Sequence, residues 1–126
     1  MVKLPKGTIM IAEQITYKVD RRLPTSAETK KALEIALPHI DKMVVVIEGN
    51  ADFDLRYGTV LIDKGPMETE SGNVHMYGTV CPTDPIGQKS GMGFDQALIE
   101  KSCRQASVND LEFALGKEDA FFTKKE

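Results

Sequence analysis

A short apolar run in the middle of the chain limits the possible folds more than any other stretch. Residues 43–47, with the sequence MVVVI, are continuously apolar and β-branched at their centre. A buried helix needs a longer segment, whereas a strand covered on both faces is a short unbroken hydrophobic run. The run therefore predicts a central strand, and the rest of the chain must supply its neighbours and its covering layers.

Three other segments have the pattern of strands. Apolar and polar residues alternate over 8–19 and again over 74–81, as expected of strands with one buried face. In the segment 53–63 the apolar residues change parity at Gly58, which predicts a bulge or a bend there. Together with the central run, these segments predict four strands.

Helix signals occur at three places. A capping box of the form T-x-x-E at 25–28 begins the first helix, and Pro38 ends it. The second helix begins close to Phe94 or Asp95, and a third, short helix occupies 107–116 between an N-cap serine and a glycine. The order of elements is thus β-α-β-β-β-α-α.

This order indicates an α+β fold, with a four-stranded, mostly antiparallel sheet and helices on one face. A chain of 126 residues has the size of one domain, so residues 1–126 are interpreted as a single α+β domain. The other face of the sheet stays partly apolar in this arrangement. Such faces are often covered by another subunit, so we expect a homo-oligomer, a dimer or a trimer.

Composition and charge exclude several classes of partner. There are 16 basic and 19 acidic residues, and the basic ones are scattered, which argues against a nucleic-acid partner because phosphate neutralisation supplies most of that affinity. No apolar run approaches the roughly 18 to 20 residues that cross a bilayer, and Pro5, Gly7 and Glu13 interrupt the N-terminal stretch, unlike a signal peptide. We expect a cytoplasmic protein with no membrane partner, in which Cys81 and Cys103 are free thiols.

The strongest functional clue is the loop 85–93, with the sequence PIGQKSGMG, ahead of the second predicted helix. A glycine-rich turn before a helix directs backbone N–H groups and the positive end of the helix dipole toward one point, which suits a phosphate or a carboxylate. The candidate ligand-binding residues are Gly87, Lys89, Ser90, Gly91, Gly93, Asp95 and Tyr77.

The loop matches neither G-x-x-x-x-G-K-[ST] nor G-x-G-x-x-G. The alternative is a flexible connection whose glycines only allow tight turns, with Asp95 capping the helix that follows.

Glu13 and His75 are the candidates for acid–base catalysis. Glu13 interrupts the apolar side of the first predicted strand, so it is a general base facing the interior, a residue at a subunit seam, or a residue turned outward by a bulge. His75 lies on the strand 74–81 beside Tyr77 and could exchange protons across a subunit boundary, although a partly exposed strand histidine is the more common case. His75 and Cys81 are separated by about 20 Å along a strand, and no metal-binding spacing is present, so we expect no metal. The sequence identifies no cofactor.

Two functions are compatible with these features. The first is a small-molecule-binding protein for an anionic metabolite, with its site at the 87–95 loop and helix N-terminus and with lyase, isomerase or hydrolase chemistry left open. The second is a non-catalytic regulatory or assembly module that binds a partner protein through the open sheet face and the pair Phe121 and Phe122. Adjacent aromatic residues near a terminus must dock on the chain's own surface or on a neighbouring subunit.

Overall fold

The computed structural model describes residues 17–69 and 72–124. These residues form seven strands and three α-helices. In chain order the elements are β1 (Tyr17–Arg22), α1 (Ser26–Ala36), β2 (Met43–Val46), β3 (Val60–Pro66), β4 (Val74–Thr79), β5 (Met92–Asp95), α2 (Gln96–Ser102), β6 (Cys103–Gln105), α3 (Val108–Leu115) and β7 (Asp119–Lys124).

The strands form two antiparallel sheets. The larger has five strands in the order β5-β4-β3-β2-β6, and the smaller pairs β1 with β7. The α+β class is therefore confirmed, but the predicted four-stranded sheet and its element order are wrong. Residues 8–16 of the first predicted strand lie outside the described residues, and its last three residues belong to β1, which pairs with β7 instead of joining the main sheet. β5 and β6, which were predicted as parts of a loop and a helix, extend the main sheet at its two edges.

The apolar run at 43–47 forms an interior strand, as predicted. β2 lies between β3 and β6, and its alternate side chains enter two different hydrophobic clusters. Met43 and Val45 pack on one face, and Val44 and Val46 pack on the other. The unbroken hydrophobic sequence thus reflects a strand that buries both of its faces.

Helices cover both faces of the main sheet, so the prediction of helices on one face is wrong. α1 and α3 cover one face, where Leu111 and Leu115 are fully buried and contribute about 1.5 to 3 kcal/mol each. α2 connects β5 at one edge to β6 at the other, and Ile99 packs with Leu61 and Phe94 on the opposite face. No helix among the described residues is both long enough and apolar enough to cross a membrane.

The helix starts agree with the capping signals. Thr25 Oγ1 accepts the Glu28 N–H at 3.1 Å, and Glu28 Oε1 accepts the Thr25 N–H at 2.8 Å, which completes the predicted capping box. Ser107 and Asp110 form a second capping box at α3. Asp95 is the N-cap of α2, and its carboxylate accepts the Ala97 N–H at 2.9 Å.

The sheet of β1 and β7, called here the β1–β7 ribbon, packs on the rest of the molecule with one face. On that inner face the Arg22 guanidinium lies 4.0 Å from the centre of the Phe121 ring and donates to Glu28 of α1 at 2.7 Å. On the outer face the cross-strand partners Val19 and Phe122 are 55% and 65% exposed. The two adjacent phenylalanines therefore differ: Phe121 docks on the chain's own surface, and Phe122 faces solvent.

Candidate functional site

The glycine-rich loop is closed on a carboxylate of its own chain. Asp84 is 7% exposed, and its two carboxylate oxygens accept the N–H groups of Gln88 at 2.8 Å and of Lys89 at 2.9 Å. The Asp84 carbonyl accepts the Gly87 N–H at 3.1 Å. These backbone donors were expected to hold an external anion, and they already hold an internal one.

Other atoms of the loop also have structural partners. Ser90 Oγ accepts the Thr79 N–H at 2.8 Å, and the Ser90 carbonyl accepts from Lys64 Nζ at 2.6 Å. Gly87 has a φ of +59° and lies against Gly78, where a Cβ on Gly78 would overlap the Gly87 carbonyl. The loop is therefore fixed against β3 and β4 by close packing and by its own hydrogen bonds.

The remaining loop glycines make room for methionine side chains. A Cβ on Gly91 would lie 2.9 Å from Met76 Sδ, and a Cβ on Gly93 would lie 2.8 Å from Met67 Sδ. β5 lies between the loop and α2 in the chain, so the loop does not lead directly into the helix N-terminus as predicted. A ligand at Lys89 and Ser90 stays a prediction, and their side chains would have to hold it.

A cavity of about 630 Å³ lies on the sheet face that α2 covers. We call it the sheet-face cavity. Its wall includes apolar or weakly polar side chains of β2, β4, α2 and β6, namely Val44, Tyr77, Ile99 and Cys103. Charged residues line it as well, namely Asp41, Asp63 and Glu100 with Lys42, Lys64 and Arg104. Such a combination of an apolar wall and a few polar groups is typical of small-molecule sites.

Asp63 links this cavity to the predicted residue His75. His75 Nδ1 lies 3.0 Å from each carboxylate oxygen of Asp63, and both side chains are half-buried. Asp63 is the cross-strand partner of Tyr77, and the rings of His75 and Tyr77 stack with their centroids 6.5 Å apart. Asp63 and Tyr77 line the cavity, whereas His75 contacts Asp63 without lining it.

A β-bulge orients the Asp63 carboxylate. The register between β3 and β4 shifts between Asp63 and Pro66, and Gly65, with a φ of +102°, donates its N–H to Asp63 Oδ1 at 2.8 Å. Bulges re-aim side chains and are common beside functional sites. Because a carboxylate only accepts hydrogen bonds, the proton of the contact with His75 lies on Nδ1. The backbone and the imidazole thus hold Asp63 from two sides.

The two other reactive groups of the cavity are held neutral. Burial, assisted by the negative charge of Asp63, raises the pKa of Tyr77 to about 12, while its OH donates to Gln96 Oε1 at 2.7 Å. Burial raises the pKa of Cys103 to about 11. Cys103 is therefore a thiol rather than a nucleophilic thiolate at neutral pH, and Tyr77 is a hydrogen-bond donor.

Two of the predicted residues lie at this cavity. His75 and Tyr77 are neighbours there, and their roles in catalysis or binding stay predictions, whereas Glu13 lies outside the described residues. Asp63 was missed. The sequence signal for Asp63 was its position two residues after Leu61. Alternate residues of a strand share a face, so the Asp63 carboxylate lies on the same face as the buried Leu61 and faces an apolar layer.

Metal binding finds no support in the described part of the chain, where no group of three or more His, Cys, Asp or Glu side chains is placed to hold an ion. Comparison with family models, with curated protein sequences and with solved structures gives no match for this chain. Its function must therefore be inferred from the geometry of the site alone.

Proposed function

We propose that the protein binds a small anionic metabolite in the sheet-face cavity, with Asp63 as the acceptor of a ligand N–H or O–H group. The observation that carries this proposal is the orientation of one carboxylate, held by His75 and by the Gly65 N–H, at the wall of a cavity with apolar surface. A carboxylate fixed in this way is suited to bind a donor or to accept a proton.

Lys42 supports an anionic ligand. Its side chain lines the same cavity, and within residues 17–69 and 72–124 it makes no hydrogen bond or ion pair. The two other cations that line the cavity already have partners, because Lys64 donates to Ser90 and Arg104 donates to Asp110. A carboxylate or phosphate group of the ligand would therefore bind at Lys42, and its donor group would bind at Asp63.

The chemistry that this arrangement favours is proton transfer. Asp63 would accept a proton from the bound molecule, and His75 would keep the carboxylate oriented through its hydrogen bond. Tyr77 would line the site with a neutral hydroxyl, whose proton is donated to Gln96 and whose oxygen can accept a hydrogen bond from the ligand. Such a site would suit a lyase or an isomerase better than a reaction that needs a thiolate nucleophile.

A thermal-shift screen with small carboxylates and phosphorylated metabolites tests this proposal. A ligand present at about 100 times its Kd adds about 2.7 kcal/mol to the stability of the folded chain. We expect a hit to lose about 10- to 100-fold in affinity in Asp63→Asn and Lys42→Ala, because each removes a charged partner. Calorimetric titration of the hit against each purified variant gives these affinities.

Lys89→Ala is the matched control, because it removes a lysine from the glycine-rich loop and leaves the cavity intact. We expect it to bind the hit like the unchanged protein. Loss of binding in Lys89→Ala with normal binding in Asp63→Asn would place the site at the loop instead. A chain that responds to no compound in the screen would favour a regulatory or assembly module.

That second function has one specific observation in its favour. Val19 and Phe122 form an exposed apolar pair on the outer face of the β1–β7 ribbon. Exposed apolar residues that adjoin one another often mark protein–protein contacts. The sheet face that was expected to bind a partner is partly covered by α2, so the ribbon is the better candidate surface.

A further inference from the structure

The β1–β7 ribbon has only two strands, and this makes it unusual within the fold. Two-stranded sheets are marginally stable in water unless further strands or a packed layer support them. Here the support comes from the inner face, through Arg22, Phe121 and Asp119, which accepts the Thr83 N–H at 3.0 Å. The outer face and the free edge of β1 receive no such support from the described residues.

The free edge of β1 presents main-chain N–H and C=O groups. Within the part of the chain that the structure describes, β1 pairs with β7 alone. Proteins usually block such edges with prolines, with bulges or with charges that repel a second strand. β1 contains no proline, and the charges at its centre, Lys18 and Asp20, have opposite signs. A strand of this composition can attract a copy of itself.

We propose that β1 pairs with β1 of a second copy of this chain, antiparallel and around a two-fold axis at Val19. Lys18 then lies opposite Asp20 of the partner subunit, and Asp20 lies opposite Lys18 of the partner subunit. The ribbons of the two copies join into one four-stranded sheet. Opposite charges directly across an antiparallel pair stabilise it, and like charges destabilise it.

Symmetry restricts the possible registers to a few. An antiparallel pair with a two-fold axis perpendicular to the sheet must place one residue opposite its own copy, because paired residues point to the same face. A centre at Lys18, Asp20 or Arg21 places two identical charges face to face. A centre at Val19 places two apolar side chains together and creates two opposite-charge pairs, so it is the favoured register.

The outer face supports the same arrangement. Val19 and Phe122 are directly opposite each other in the ribbon. Pairing at Val19 places the two valines side by side, with a phenylalanine beyond each of them. Two exposed side chains from each copy then form a continuous apolar row of four across the dimer. Burial of the two valine side chains stabilises the dimer in addition to the main-chain hydrogen bonds that the new strand pair forms.

Charge reversal on the full chain tests this dimer. We expect the unchanged protein to sediment at about twice its 13.9 kDa mass. Lys18→Asp and Asp20→Lys each replace both opposite-charge pairs with like-charge pairs, so each is expected to raise the dimer Kd about 10- to 100-fold. Sedimentation equilibrium over a range of concentrations measures the Kd of each variant.

The two variants also provide their own rescue. A mixture of Lys18→Asp chains with Asp20→Lys chains restores opposite charges at both positions, so a heterodimer is expected where each variant alone is a monomer. The double variant is expected to recover the homodimer. Lys101→Asp, which makes the same charge change on the exposed side of α2, is the matched control and should dimerise normally.

Three results would overturn the proposal. One is an unchanged protein that stays monomeric at all concentrations. Another is a dimer whose Kd neither single variant alters, which would place the interface on another surface. The last is a mixture of the two variants that stays monomeric. Because Asp20 also lies 3.5 Å from Arg22, circular dichroism and the denaturation midpoint of each variant confirm that the fold is retained.

Discussion

At the scale of single residues, Asp84 determines which acceptor the backbone N–H groups of the glycine-rich loop bind. A buried carboxylate that accepts two backbone N–H groups does for this loop what a bound anion does in a phosphate-binding loop. The backbone N–H groups of this loop therefore stabilise the loop itself. A sequence pattern of glycines, a lysine and a serine cannot distinguish the two uses, because the acceptor is a residue that precedes the pattern.

Asp84→Asn is expected to destabilise the fold by about 1 to 3 kcal/mol, because the amide has one acceptor oxygen and leaves a buried N–H without a partner. Urea denaturation measures the loss. Asp95→Asn is the matched control, since asparagine is as good an N-cap as aspartate and a change of less than about 0.5 kcal/mol is expected. Equal effects of the two substitutions would contradict the role given to Asp84.

The lowered pKa of Asp110 predicts how the stability of the fold depends on pH. The Arg104 guanidinium, together with hydrogen bonds from Ser107, lowers the pKa of Asp110 from its ordinary 3.8 to about 2. A carboxyl whose pKa is lower in the folded state stabilises the fold above its ordinary pKa, and this stabilisation is lost as the pH falls toward the folded-state pKa. The contribution of Asp110 is therefore present above about pH 4 and disappears between pH 4 and 2.

We expect Asp110→Asn to be less stable than the unchanged protein at pH 7 and to approach it in stability near pH 2. Denaturant titrations at a series of pH values measure both curves. Asp41→Asn, on the opposite sheet face, provides a control carboxyl outside this capping box. Parallel curves for Asp110→Asn and the unchanged protein would contradict the prediction.

At the scale of elements, the sequence predicted segments with a strong local signal and missed segments without one. The unbroken run in β2 and the capping boxes of α1 and α3 were recognisable because each depends on residues close together in the chain. β5 and β6 have four and three residues, which is too short for a period to show, and they are strands because β4 and β2 offer free edges to them.

The position of β1 could not be predicted for a related reason. Its alternation indicates a strand with one packed face, and residues 17–19 do lie in the strand Tyr17–Arg22, but the packed face is the one opposite Val19, which is 55% exposed. Alternation does not specify a partner, however, and the residues of β7 were interpreted as a pair of phenylalanines in an otherwise charged tail. Adjacent side chains of a strand point to opposite faces, so the pair was in fact compatible with one partly buried and one exposed phenylalanine.

The candidate site shows the same division between local and distant information. His75 and Tyr77 could be predicted because they share one strand face. Asp63 could not be joined to them from the sequence, because the contact depends on the pairing of β3 with β4 and on the bulge at Gly65. The contribution of α2 to the cavity was missed because a helix on that face was not expected.

At the scale of the whole molecule, the two proposals use different parts of the fold. The sheet-face cavity lies between α2 and the main sheet, whereas the dimer surface lies on the β1–β7 ribbon. The ribbon packs against α1 and the segment around Thr83, and its phenylalanines serve two different interfaces. Phe121 joins the ribbon to its own chain, and Phe122 extends the apolar row of the proposed dimer.

Replacing each phenylalanine in turn therefore distinguishes an effect on folding from an effect on assembly. Phe121→Ala removes the ring that the Arg22 guanidinium covers and that lines a cavity together with residues of α1, so we expect a loss of about 1 to 3 kcal/mol in the free energy of unfolding. Phe122→Ala removes a ring that is 65% exposed in one copy, so the monomer should keep its stability within about 0.5 kcal/mol. The dimer Kd should rise instead, because the apolar row loses a side chain from each copy. Urea denaturation of dilute protein measures the effect on folding, and sedimentation of concentrated protein measures the effect on the dimer. A Phe122→Ala chain that unfolds as easily as Phe121→Ala would contradict the assignment of the two faces.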